Sequence, residues 1–145
     1  MEKRITTLEE LSLEAKRFTE SLHPKGERAT LVTLSGELGA GKTAFVKGVA
    51  KAFGVTEIVN SPTFVLEKIY TLEEGSPFRH LVHIDAYRLE EGEGLTPLEF
   101  DTLMQKPENL IMFEWPERVG SALPTPAVQI TLKLSSDGSR TIIYD

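Results

Sequence analysis

Cysteine is absent from this 145-residue chain, so neither a disulfide nor a thiolate metal centre contributes to its fold or function, which accords with a reducing cytoplasm. Basic residues are in deficit: 16 Lys and Arg stand against 22 Asp and Glu, a formal net charge of -6. A broad hold on nucleic acid needs clustered cations that displace phosphate counterions, so any dealing with RNA is expected to be local or indirect. No apolar run is long enough to span a bilayer. The first residues, Met1-Glu2-Lys3-Arg4-Ile5, lead into a charged amphipathic stretch and lack the apolar run of a secretion signal.

The composition itself is that of an ordinary globular protein, with 40% hydrophobic and 26% charged residues, in a length suited to one hydrophobic core. A single domain over residues 1–145 is expected. Thr7-Leu8-Glu9-Glu10 has the pattern of a helix capping box, and Leu8, Leu11, Ala15, Phe18 and Leu22 follow at helical spacing. The short apolar run Thr30 to Leu34 predicts a buried strand, and Lys42 to about Phe53 a helix stopped by Gly54. Phe64 to Tyr70 and Leu81 to Asp85 predict two further strands, which the turn at Glu73 to Pro77 suits to a hairpin. Thr96-Pro97 predicts the cap of a short helix through Leu98, Phe100, Leu103 and Met104. Leu110 to Glu114 predicts another buried strand, and Val128 to Leu134 with Thr141 to Tyr144 a C-terminal hairpin. Helices interleaved with apolar strands predict an α/β fold, a three-layer sandwich around a mostly parallel sheet, like that of P-loop nucleotide hydrolases.

The segment with the clearest chemistry is Gly36-Glu37-Leu38-Gly39-Ala40-Gly41-Lys42-Thr43, which matches the phosphate-binding P-loop pattern at every fixed position. Glycine permits the backbone conformations in which successive N–H groups close around phosphate oxygens, and the helix that follows presents its positive end to them. Lys42 supplies a mobile charge for the terminal phosphates, and the Thr43 hydroxyl is placed to ligate a magnesium ion that bridges them. The match follows a predicted strand and opens a predicted helix, the context the motif requires. Gly36, Gly39, Ala40, Gly41, Lys42, Thr43 and Ala44 are the expected nucleotide contacts of this segment.

Two apolar strands end in acids, Asp85 and Glu114. In α/β sheets ligands gather at the carboxyl ends of strands, so Asp85 suits the Walker B acid of the magnesium shell. Glu114, followed by Trp115-Pro116-Glu117, either polarises the attacking water or completes that shell. Ser61-Pro62-Thr63-Phe64 occupies the position at which nucleotide switches carry a phosphate-sensing hydroxyl. His83 lies two residues before Asp85 on the same strand face, where a packed or hydrogen-bonded histidine is the ordinary expectation. Arg88, Arg118 and Arg140 are isolated cations of the kind that form surface ion pairs, Arg88 being the nearest to the predicted acids.

Taken together, Gly-Glu-Leu-Gly-Ala-Gly-Lys-Thr at 36–43, Ser-Pro-Thr-Phe at 61–64, His-Ile-Asp-Ala-Tyr-Arg-Leu at 83–89 and Glu-Trp-Pro-Glu at 114–117 resemble the TsaE (YjeE) family over nearly the whole chain. The resemblance implies an ATPase, dependent on ATP and magnesium, in bacterial synthesis of threonylcarbamoyladenosine beside the tRNA anticodon. Its implied partners are the TsaD and TsaB proteins, with tRNA met only through that complex and no membrane involved. It implies Lys42 on the phosphates, Thr43 and Glu114 on magnesium, Asp85 in the Walker B role and Thr63 in a switch-like loop. It also implies nucleotide contacts near Leu11, Glu117 and Arg140. Leu98-Glu99-Phe100-Asp101 departs from the family, which commonly has a glycine near the start of that short helix.

Other P-loop classes fit the residues less well. The Asn-Lys-x-Asp guanine motif is missing, and Leu34-Ser35-Gly36-Glu37 does not supply a transporter signature. A small-molecule kinase needs a lid with several arginines, whereas those of this chain are scattered. A nucleotide-gated adaptor with little turnover is the remaining alternative.

Overall fold

Strands that are apolar on both faces belong at the centre of a parallel sheet, because helices cover them from both sides. The computed structural model, which describes residues 1–56, 67–87 and 99–145, follows that rule. Its elements in chain order are β1 (Glu2–Ile5), α1 (Leu8–Glu20), β2 (Thr30–Ser35), α2 (Lys42–Ala52), β3 (Glu67–Thr71), β4 (His80–Asp85), α3 (Phe100–Met104), β5 (Asn109–Glu114), β6 (Val128–Leu134) and β7 (Arg140–Tyr144). All six residues of β5 are buried. The described strands form one sheet in the order β1-β7-β6-β2-β5-β4-β3.

The four central strands run parallel, with β2 between β5 and β6 and with β4 beyond β5. The margins are antiparallel: β3 pairs with β4, β7 with β6, and β1 with β7. Strand alternation then sorts the apolar side chains into two cores. On one face Val32, Leu34, Leu81, Leu110, Met112 and Ile130 pack with Leu11, Ala15, Phe18, Phe45 and Val49 of α1 and α2. On the other, Leu31, Val82, Ile84, Ile111 and Phe113 pack with Phe100, Leu103 and Met104 of α3. The expected three-layer α/β sandwich with its parallel centre and C-terminal hairpin is thus present.

Thr7 caps α1, its hydroxyl accepting from the Glu10 backbone N–H at 3.0 Å, while the Glu10 carboxylate accepts from the Thr6 N–H at 2.9 Å. The first contact satisfies a backbone donor that the first helical turn leaves without a partner, and the second holds the residue just before the cap. Leu8, expected on the buried face, is 62% exposed, because the chain enters α1 there and the buried stripe begins one turn later at Leu11.

β1 has no signature in the sequence. Only Ile5 of its four residues is buried, so there is no alternation to read, and the strand is held by backbone pairing to β7 in the register Lys3↔Ile142. The short helix α3 starts at Phe100 with Glu99 as its cap residue at φ 51°, and the expected cap at Thr96-Pro97 and Leu98 lie outside the described residues. So do Phe64 to Leu66 of the predicted strand, whose described part begins at Glu67. Among the described residues no helix is long and apolar enough to cross a membrane.

Candidate functional site

The P-loop bridges β2 and α2, and all three of its glycines, Gly36, Gly39 and Gly41, have conformations that side chains resist. Gly36 leaves β2 at φ +145°, where a Cβ would run into the backbone carbonyl of Leu132 on β6. Gly41 sits at φ +106° as the cap residue of α2, and makes no side-chain cap for it. The first-turn N–H groups of α2 are therefore left for an external acceptor, which an anion supplies. Gly39 and Leu38 form the exposed crest of the loop, Ala40 is fully buried beneath it, and Ala44 packs against the core that holds α2 in place.

Lys42, the first residue of α2, is 5% exposed. Its amine donates to the backbone carbonyls of Gly36 and, at 2.9 Å, of Glu37. It also lies over the Trp115 ring, 4.1 Å from the centroid, a favourable place for a cation. Burial pulls its pKa below the ordinary lysine value, and the carboxylates of Glu114, Glu117, Asp85 and Glu37 act against that shift. A buried cation surrounded by acids and held only by carbonyls and a ring is suited to meet phosphate.

The acids come from neighbouring parallel strands. Asp85 and Glu114 are register partners across β4 and β5, and Leu34 is the partner of Glu114 on β2, so both acids stand at the carboxyl edge beside the loop. The Thr43 hydroxyl lies 3.1 Å from each oxygen of Glu114. Asp85 accepts from the Tyr87 backbone N–H at 3.0 Å. Among the described residues no group of three His, Asp or Glu side chains forms a ready metal cage. One hydroxyl and two carboxylates beside a phosphate cradle are instead the hard-oxygen set that fits magnesium, which retains water and phosphate oxygens as its other ligands.

The three residues implied only by resemblance lie at the loop's border or near it. Leu11 and Arg140 both flank Gly41, their side chains meeting the position its Cβ would take at 3.4 and 3.3 Å. Leu11 is a core residue, 1% exposed. The Arg140 Nε is buried with no hydrogen-bond partner among the described residues, and there this cation borders the phosphate loop in place of the surface ion pair expected of it. Glu117 is exposed and accepts from the Ser35 hydroxyl at 3.3 Å, at the end of β2. Arg118, also expected in an ion pair, lies over the Tyr87 ring at 5.0 Å. Thr63, with Ser61, Pro62 and Phe64, and Arg88 lie outside the described residues.

Two features of the site were not legible in the sequence: the turn at Trp115 and the partner of His83, whose hydrogen-bonded character was expected. Trp115 takes φ +63°, a left-handed conformation that is strained for a bulky residue. It turns the chain sharply after β5 so that the ring meets both Lys42 and Tyr87, the latter at 4.9 Å between centroids. His83 is fully buried, and its Nε2 lies 2.5 Å from Glu114 Oε2. Its face was legible from its spacing to Asp85, but its partner depends on the β4–β5 register.

Residues 6–142 match the model of the family described as threonylcarbamoyl adenosine biosynthesis protein TsaE. Similar proteins include the tRNA threonylcarbamoyladenosine biosynthesis protein TsaE of Bacillus subtilis, 38% identical over 79% of this chain and 68% of that protein. The protein of the same name from Treponema pallidum is 40% identical over 80% of this chain and 82% of its own length. The crystal structure of Bacillus subtilis YdiB superposes with a TM-score of 0.75 at 30% identity, covering 99% of this chain and 83% of that one.

Proposed function

The chain belongs to the TsaE family, and on that premise we propose that it is a magnesium-dependent ATPase of tRNA threonylcarbamoyladenosine biosynthesis, working in the cytoplasm with the TsaD–TsaB complex. It meets tRNA only through that complex, in keeping with its net charge of -6. The observation that carries the reading is the meeting of Thr43, at the start of the P-loop helix, with Glu114, at the end of a neighbouring strand.

In this reading the uncapped N-terminus of α2 and the loop N–H groups bind the phosphates, and Lys42 leaves the Trp115 face and its two carbonyl partners to neutralise the terminal ones. Arg140 adds positive charge from beside Gly41. Thr43 and Glu114 hold magnesium, which when bound neutralises charge developing on the phosphates. Asp85, in the Walker B role next to Glu114, orients water at the same edge, and Thr63 senses the terminal phosphate. Leu11 and Glu117 border the nucleotide.

The test is ATP turnover by the chain alone and with purified TsaD and TsaB, with and without magnesium, for wild type and Glu114→Ala. Magnesium-dependent hydrolysis that rises with the partners and drops about a hundredfold or more in the variant is expected, the scale of losing a positioned catalytic group. Undetectable hydrolysis with both partners present, or an unchanged Glu114→Ala, overturns the ATPase reading in favour of an adaptor. Transfer of phosphate to a metabolite points to a kinase.

A further inference from the structure

A carboxylate that is only 2% exposed needs more than one hydrogen-bond donor to offset its lost hydration. Thr43 gives Glu114 one hydroxyl hydrogen, shared between two oxygens at 3.1 Å. The second donor is His83 on β4, whose Nε2 stands 2.5 Å from Oε2. Because a carboxylate only accepts, the hydrogen of this bond belongs to the imidazole Nε2. The opposite ring atom, Nδ1, is buried and has no partner among the described residues. A hydrogen there would be an orphaned donor, costlier to bury than an orphaned acceptor, so the arrangement selects the tautomer protonated at Nε2.

We propose that His83 is a positioning residue that pins Glu114 Oε2 and leaves Oε1 facing Thr43 for the magnesium ion. The ring is well suited to hold an angle. It sits in the middle of β4 with no exposed surface, opposite Met112 in register and two residues before Asp85. A carboxylate free to rotate has to be ordered each time a metal binds, whereas one already fixed by a partner behind it does not. The proposal rests on the reading that Glu114 holds magnesium.

Two measurements test it. First, nitrogen-15 spectra of the nucleotide-free protein report which imidazole nitrogen of His83 carries hydrogen, the signal being assigned by its disappearance in His83→Gln. The Nε2-protonated form is expected, and a predominant Nδ1-protonated form overturns the proposal. Second, calorimetric binding of a non-hydrolysable ATP analogue is titrated with magnesium for wild type, His83→Phe and His83→Gln. Gln places an amide N–H near the lost Nε2, whereas Phe fills the space without a donor.

The magnesium midpoint is expected to rise about tenfold or more in His83→Phe, the worth of a hydrogen bond to a charged group. Most of that loss should return in His83→Gln, and binding in EDTA should change little in either. In a Glu114→Gln background, His83→Phe should add no further shift, since the partner it positions has been altered. A His83→Phe midpoint within about twofold of wild type, or equal losses with and without magnesium, sinks the positioning role alone. A wild type whose nucleotide binding ignores magnesium instead overturns the ATPase reading and this role with it.

Discussion

Thr43 and Glu114 are 71 residues apart in the chain, yet the hydroxyl of one lies 3.1 Å from both carboxylate oxygens of the other. In the proposed role this hydroxyl would turn from Glu114 toward a magnesium ion. Thr43→Ser is expected to keep magnesium-dependent nucleotide binding. Thr43→Val, nearly identical in shape, is expected to lose about tenfold or more of the magnesium effect. Equal magnesium midpoints for the Ser and Val proteins, by calorimetry, would remove Thr43 from the metal shell.

The burial of Lys42 is expected to cost stability, in exchange for the role proposed for it. Burial disfavours its charged form in the folded protein, a cost present at neutral pH that Lys42→Met removes while retaining much of the stem's packing. The variant should unfold at the same temperature as wild type or higher, and bind nucleotide about 10- to 100-fold more weakly. The sign with pH follows from the lowered folded-state pKa. The cost is full below that value and fades as pH rises toward the ordinary lysine value of 10.5, so wild type should gain on the variant in that window. Chemical denaturation of both proteins across alkaline pH measures this. A Lys42→Met protein markedly less stable at neutral pH would mean that the bonds to the Gly36 and Glu37 carbonyls outweigh the desolvation.

Gly48 brings α1 and α2 together, since a Cβ added there would lie 2.7 Å from the Ala15 Cβ and 3.6 Å from the Ser12 Cα. In a helix interior Gly→Ala normally adds about 1 kcal/mol of stability, whereas overpacking costs about 1–3 kcal/mol. Here the crowding should win, and Gly48→Ala is expected to lower stability. Adding Ala15→Gly should recover part of the loss, a coupling that urea unfolding of the two single variants and the double variant resolves. Additive effects would show that the helices simply move apart.

How far the sequence carried can be judged from single residues. Gly36 to Thr43 was legible because the motif fixes residue type at each position, and Asp85 and Glu114 because each ends a run of apolar residues. Their convergence was not, since it depends on β5 entering the sheet between β2 and β4. His83 showed its face but not its partner for the same reason. Trp115 was given no role, because nothing in its neighbours announces a left-handed backbone at φ +63°. β1 was missed because its single buried side chain leaves no alternation to read, while backbone pairing to β7 and the ion pairs Lys3–Glu14 and Arg4–Asp137 hold it. Arg140 looked like an isolated surface cation, and only the return of β7 toward the loop puts it against Gly41.

The strand order also constrains when this protein can exist at all. β2, which launches the phosphate loop, has β5 and β6 as its neighbours, and both are encoded after residue 108. A ribosome that has released only the first hundred residues has therefore extruded the whole loop motif with neither edge of its strand paired. That apolar strand stays open to wrong partners until β5 emerges, and the slow step of folding is expected to be its insertion between two strands already made. The nucleotide capture proposed for this loop would thus become possible only late in synthesis, and a prematurely ended chain would carry the motif without the machine.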